Sequence, residues 1–154
     1  MKINSRLFGE IDIEDDKIIS FESGIIGFED YTKYALIFDS EKKSGNSIMW
    51  LQSMDEPTLA FPVVDPMHIY NGYNPVVEDE WLEPIGGIAN PEDIYVLAVL
   101  TVPSDLTKMT ANLKAPLIIN TRTRKGCQMI VGNEEYSVRY NVYDYIERIR
   151  KEAE

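Results

Sequence analysis

Apolar and polar residues alternate with a period of two along most of the chain, the signature of strands with one buried face. In "GEIDIEDDKIISF", Ile11 and Ile13 fall on one side and Glu10, Asp12 and Glu14 on the other. Asp15-Asp16 reads as a turn and Lys17 to Phe21 as the returning strand. Two glycines mark "ESGIIGFEDYTKY" as a structured loop, with one helical turn after Phe28. "YALIFD" and "IMWLQS" read as strands separated by the polar loop "SEKKSGNS". "MDEP" then turns the chain into the strand "TLAFPVV". Pro62 has no N–H to give a ladder, so this strand is expected at a sheet edge or with a bulge.

The later segments add three helical stretches and the central strand. In "VVEDEWLEPIGG" the spacing of Trp81, Leu82 and Ile85 suits a short helix, ended between Pro84 and Gly87. "NPED" caps another turn with Pro91 at its first position. "IYVLAVLTVP" is unbroken and β-rich, as expected of a central strand buried on both faces. "KAPLIINTRTRKGCQMIV" reads as strand, basic turn, strand. "DYIERIRKEAE" is an amphipathic terminal helix with Tyr145, Ile146 and Ile149 on one face. Many short strands without crossover helices give an all-β sandwich or barrel, and 154 residues without a linker or repeat give one domain, 1–154.

Charge narrows the partners. Fifteen basic residues stand against 26 acidic ones, a net −11 that repels nucleic acid and favours basic proteins or plain solubility. The one basic cluster, "TRTRKG", lacks the area and the interleaved aromatics of a nucleic-acid site and reads as a solvated hairpin turn. The single cysteine, Cys127, permits no intrachain disulfide, and the longest apolar run, Ile94 to Val102, is about half a membrane span. A protein of the cytoplasm, with no membrane and no direct nucleic acid, is the expectation.

Candidate chemistry is sparse. His68 and Cys127 have no companions for a metal site. Cys127 reads as a small core residue and His68 as a surface or cap residue. The glycines 24 and 27 lack the Lys-Ser/Thr of a phosphate loop. The acidic groups at 14–16, 55–56 and 78–80 lack EF-hand spacing. Around "TLAFPVV", Asp55-Glu56-Pro57 and Asp65-Pro66 look like turn chemistry and not a catalytic pair. No cofactor is expected.

"GIIGFED" (24–30), "LQSMDEPTLAFPVVDP" (51–66), "VVEDEWLEPIG" (76–86), "ANLKAPLIIN" (111–120) and "CQMIV" (127–131) resemble, in order and spacing, the flagellar assembly factor FliW family. That family's usual first motif is Gly-Ile-Pro-Gly-Phe-Glu; here Ile26 stands at the proline, a departure that bears on loop rigidity. The resemblance implies a small antiparallel β-barrel-like domain with short helical turns and a C-terminal helix. It also implies a non-enzymatic regulator. Family members bind the translational repressor CsrA, an RNA-binding protein, and relieve repression of flagellin synthesis; flagellin is the competing partner.

The residues of this chain suggest where a partner docks. Loop 24–30 offers Ile25, Phe28 and Glu29, and the 76–83 segment offers Glu78, Asp79, Glu80 and Trp81. Each combines acids with large apolar groups, as a hot-spot centre with a charged rim does. The opposing reading folds Phe28 and Trp81 into the core and leaves only the acids outside. Leu51, Phe61, Leu113, Ile118 and Ile119 are expected in the core. Gln52, Asp65, Asn112 and Asn120 are either structural hydrogen-bonding residues or partner contacts. The competing class is a small β-barrel enzyme or metabolite-binding module using a carboxylate pocket; convergent carboxylates or His68 in a deep cavity would favour it.

Overall fold

The computed structural model describes residues 1–38, 48–87 and 90–153, with the side chains of 149, 150, 152 and 153 excepted. The expected polar loop 40–47 and the side chain of Ile149 lie outside these.

The N-terminal alternation makes strands, but with a different partner from the one expected. β1 (Lys2–Ser5) pairs antiparallel with β2 (Gly9–Asp12), Ile3 standing opposite Ile11. Asp15–Lys17 is a short 3-10 turn, and β3 (Ile19–Ser20) leaves for another sheet, so no hairpin links β2 to Lys17–Phe21. Ile11 and Ile13 are half-buried and Glu10, Asp12 and Glu14 exposed, as the pattern required. Alternation specifies which face is buried and leaves the neighbour open. Here the hairpin lays Ile3, Ile11 and Ile13 over Ala35 and Met54.

The remaining strands are β4 (Lys33–Ile37), β5 (Met49–Ser53), β6 (Ala60–Val64), β7 (Ile94–Thr101), β8 (Thr110–Ala111), β9 (Leu117–Asn120), β10 (Lys125–Gln128) and β11 (Tyr140–Asn141). Six of them close with β3 into a seven-stranded barrel in the order β3–β4–β5–β6–β7–β9–β10 and back to β3. An odd ring cannot alternate direction all the way round, so one neighbouring pair must be parallel. That pair is β10 with β3, joined where Lys125 stands opposite Ser20. β8 and β11 extend the sheet outward from the end of β7. The expected all-β, barrel-like architecture is therefore found.

β7 is buried on both faces, and its period of two divides the protein into two cores. Leu97 and Val99 join Leu51, Val63, Leu117 and Ile119 inside the barrel. Ala98 and Leu100 turn outward to a second core with Leu113 and Ile118. That outer core is closed by Leu82 and Ile85 and by Tyr145 and Ile146 of the terminal helix α2 (Tyr143–Ala153), for which α1 (Asp79–Leu82) is the only other α-helix among the described residues. Phe61 is half-buried against the barrel core and Cys127 against the outer one, whereas Leu51, Leu113, Ile118 and Ile119 are fully enclosed.

Pro62 does not mark an edge. β6 lies between β5 and β7, with Pro62 opposite Trp50. The β6–β7 ladder runs through Val64 with Ala98 and Val63 with Val99 and stops one residue before the proline. The missing N–H thus falls where the β6–β7 ladder has already ended, while β8 pairs with β7 on the edge away from β6.

Candidate functional site

Loop 24–30 is a pair of tight turns and not the helical turn expected after Phe28. The Ile25 carbonyl accepts from the Phe28 amide at 2.7 Å, and Gly27 at the third position has φ +89°. Positive φ there, with an ordinary residue before it, is the type II pattern, in which proline is favoured at the second position, here Ile26. Gly24, also at positive φ, has no room for a side chain: a Cβ would lie 2.4 Å from the Cα of Glu29. The Glu29 carboxylate accepts from the Gly27 amide at 3.1 Å, and that backbone bond holds its pKa below the usual carboxylate value.

The turn sorts its apolar residues. Ile25 is 2% exposed and belongs to the barrel core, so it is not the surface group the sequence suggested. Ile26 is 57% exposed in its place, and Phe28 is 39% exposed. The Phe28 ring leans edge-on against Phe61, with centroids 5.1 Å apart and planes at 82°.

The second candidate segment behaves alike. Glu78 stands at the N-cap position of α1 without a side-chain cap bond, and α1 runs into a 3-10 turn over Glu83–Ile85 and stops at Gly86 with φ 108°. Leu82 and Ile85 point inward, whereas Trp81 is 42% exposed beside exposed Glu78, Asp79 and Glu80. Hydrogen bonding to the neighbouring Glu80 first, and then its like charge, raise the pKa of Glu78 above the usual carboxylate value.

β10 anchors the two segments from its opposite faces. Gln128 accepts from the Ile26 amide at 2.8 Å, while the thiol of the preceding residue, Cys127, approaches the Trp81 carbonyl at 3.7 Å. Successive strand residues point to opposite faces, so one step of β10 ties down both turns. Burial pushes the Cys127 thiol up to about 11, which keeps it protonated and unreactive at neutral pH.

The remaining polar residues of the motifs build the scaffold. Asp65 caps the 3-10 turn Pro66–His68 by accepting from the Met67 amide at 2.9 Å. Asp55 accepts from the amides of Thr32 and Lys33 at 2.9 and 3.0 Å. Gln52 is fully buried and donates to the carbonyls of Ser53 and Leu59. Asn112 and Asn120 each cap the turn that follows them. The basic turn is internally committed. Arg122 reaches Asp93 and the Gly86 carbonyl, Arg124 the Lys17 carbonyl, and Lys125 the carboxylate of Glu22.

A groove of about 490 Å³ runs beside the first turn, bordered by Ile26, Phe28, Phe61, Val99, Val138 and Arg139. A second, of about 570 Å³, is lined largely by Ile13, Ile19, Leu36, Phe38 and Tyr95. Neither is lined by a carboxylate or by His68, the features that would favour a metabolite pocket. Among the described residues no three His, Cys, Asp or Glu side chains gather as a metal site, and no helix is long and apolar enough to cross a membrane. Val138 and Arg139 escaped the reading of the sequence. Their one signal was an apolar residue beside a base in the polar stretch "NEEYSVRYN". The Leu113 amide, bonded to the Ser137 carbonyl at 3.0 Å, brings them to the groove.

Residues 2–142 match the family model described as FliW protein. The chain is 52% identical over 148 residues to a flagellar assembly factor FliW of Lachnospira eligens, covering 96% of this chain and 98% of that one. It is 50% identical over 153 residues to one of Lachnoclostridium phytofermentans, covering 99% and 97%. A crystal structure of the flagellar assembly factor FliW superposes with a TM-score of 0.81 at 30% identity, over 92% of this chain and 96% of that one.

Proposed function

The chain belongs to the FliW family, and on that premise we propose that it regulates flagellar assembly in the cytoplasm by binding CsrA and relieving repression of flagellin synthesis, with flagellin as the competing partner. The observation that carries this reading is the exposure of Phe28 and Trp81 beside Glu29 and Glu78–Glu80, on turns whose own hydrogen bonds are already made. Aromatic anchors held in place before binding lose little entropy when a partner covers them. The acids around them favour a basic partner, and an RNA-binding protein presents a basic surface.

The net charge of −11 and the internally paired basic turn support a protein that opposes an RNA-binding surface without touching RNA. A pull-down from a flagellated bacterial lysate tests the reading. A small RNA-binding dimer and flagellin are expected on the beads, and less of each after Phe28→Asp with Trp81→Asp. Recovery of neither from the unaltered chain would overturn it.

A further inference from the structure

We propose that the groove between the 25–28 turn and Val138-Arg139 receives a peptide segment of a protein partner whose apolar side chains cover Phe28 and Val138 and whose carboxylate meets Arg139. This deepens the reading above and rests on its premise that the chain binds proteins. The apolar part follows from the border: Phe61 and Val99 are half-buried, while Ile26, Phe28 and Val138 are exposed. Three large apolar groups around one depression form a surface that water covers poorly, and a partner's side chains gain by displacing that water.

The carboxylate follows from the polar atoms left over. Gln128 is spent, its oxygen on the Ile26 amide and its nitrogen on the Ala115 carbonyl. Asn112 has used its oxygen on the amides of Lys114 and Ala115 and keeps its N–H donors. Arg139 is exposed and has no hydrogen-bond or ion-pair partner among the described residues. The free polar capacity of the groove is therefore mostly donor, with a cation at its edge, in a chain whose net charge is −11. An occupant that is itself an acceptor and negatively charged completes both, and the guanidinium can grip a carboxylate with two parallel bonds.

Selection of random peptides on the full-length chain tests this, followed by anisotropy titration of the enriched peptides. Apolar peptides containing Asp or Glu should be enriched. Arg139→Glu should weaken them about tenfold or more, Arg139→Lys less, and replacing the peptide's acid by Lys should restore binding to Arg139→Glu. Val138→Asp should weaken all of them. Peptides without acids, peptides indifferent to Arg139→Glu, no enrichment at all, or a small aryl carboxylate binding as tightly as the peptides would each overturn the proposal. If acid-bearing peptides select Arg139 while the chain binds neither CsrA nor flagellin, this inference stands and the functional reading falls.

Discussion

The amide of Ile26 donates to Oε1 of Gln128 at 2.8 Å, joining the tip of the 25–28 turn to the last residue of β10. The position asks for two things that one residue cannot supply. The turn favours proline at Ile26, and the bond to Gln128 needs an N–H. Ile26→Pro should remove a bond worth about 0.5–1.5 kcal/mol and recover about 0.4–1 kcal/mol from a less flexible unfolded chain. Chemical denaturation should place the variant within about 1 kcal/mol of the parent. A loss of several kcal/mol would mean that Gln128 holds more of the fold than this turn.

Substitutions at Phe28 and Ile25 should separate binding from stability. Ile25→Ala empties a core position and should cost about 2–5 kcal/mol in unfolding free energy. Phe28→Ala loses a partly exposed ring and its edge contact with Phe61, worth about 0.5–1.5 kcal/mol. It should nevertheless weaken partner binding by about 2 kcal/mol or more, as a central anchor does. Denaturation curves and partner titrations on both variants check this. Equal loss of stability from the two would place Phe28 with the core.

The acids of α1 should act at long range. Reversing Glu78, Asp79 and Glu80 to Lys should slow CsrA association and flatten its salt dependence more than it speeds dissociation, because rim charges chiefly steer encounter. Stopped-flow association at several salt concentrations is the measurement. Unchanged association rates would remove this segment from the interface.

Much of this was legible in the residues. The all-β class, the doubly buried β7 and the short helix at 79–85 followed from period and composition, and the choice of a barrel over a sandwich from the family resemblance. The partner of β2 did not, because an alternating pattern names a face and not a neighbour. Pro62 misled because a strand can be interior and still end one of its two ladders early. Ile25 and Ile26 are identical side chains in sequence, and only the turn geometry sends one inward and the other out. Arg139 could not be singled out because whether a base finds an ion-pair partner is a property of the assembled surface, and among the described residues Arg139 has none.

Tyr34 makes an alkaline limit. It is fully buried, and its hydroxyl has no hydrogen-bond partner among the described residues. Burial first, then nearby Asp55 and Tyr31, push its pKa from 10.0 up to about 12. The folded state favours the neutral phenol, so this contribution is full below pH 10.0 and is lost as pH rises through about 12. Burial likewise raises Tyr73 and Tyr95. Thermal unfolding should therefore move to lower temperature above pH 10.0, and Tyr34→Phe should make that decline shallower without loss of stability at neutral pH. An unchanged alkaline slope in Tyr34→Phe would assign the effect to the other tyrosines.

Titration of flagellin into a preformed complex with CsrA, followed by calorimetry and size exclusion, tests the proposed exclusion of one partner by the other most directly. Linkage makes the effect reciprocal: the factor by which flagellin weakens CsrA binding must equal the factor by which CsrA weakens flagellin binding. Release of CsrA in proportion to the flagellin added, with equal factors in both directions, is the expected result. A stable ternary complex in which both affinities are unchanged would contradict it.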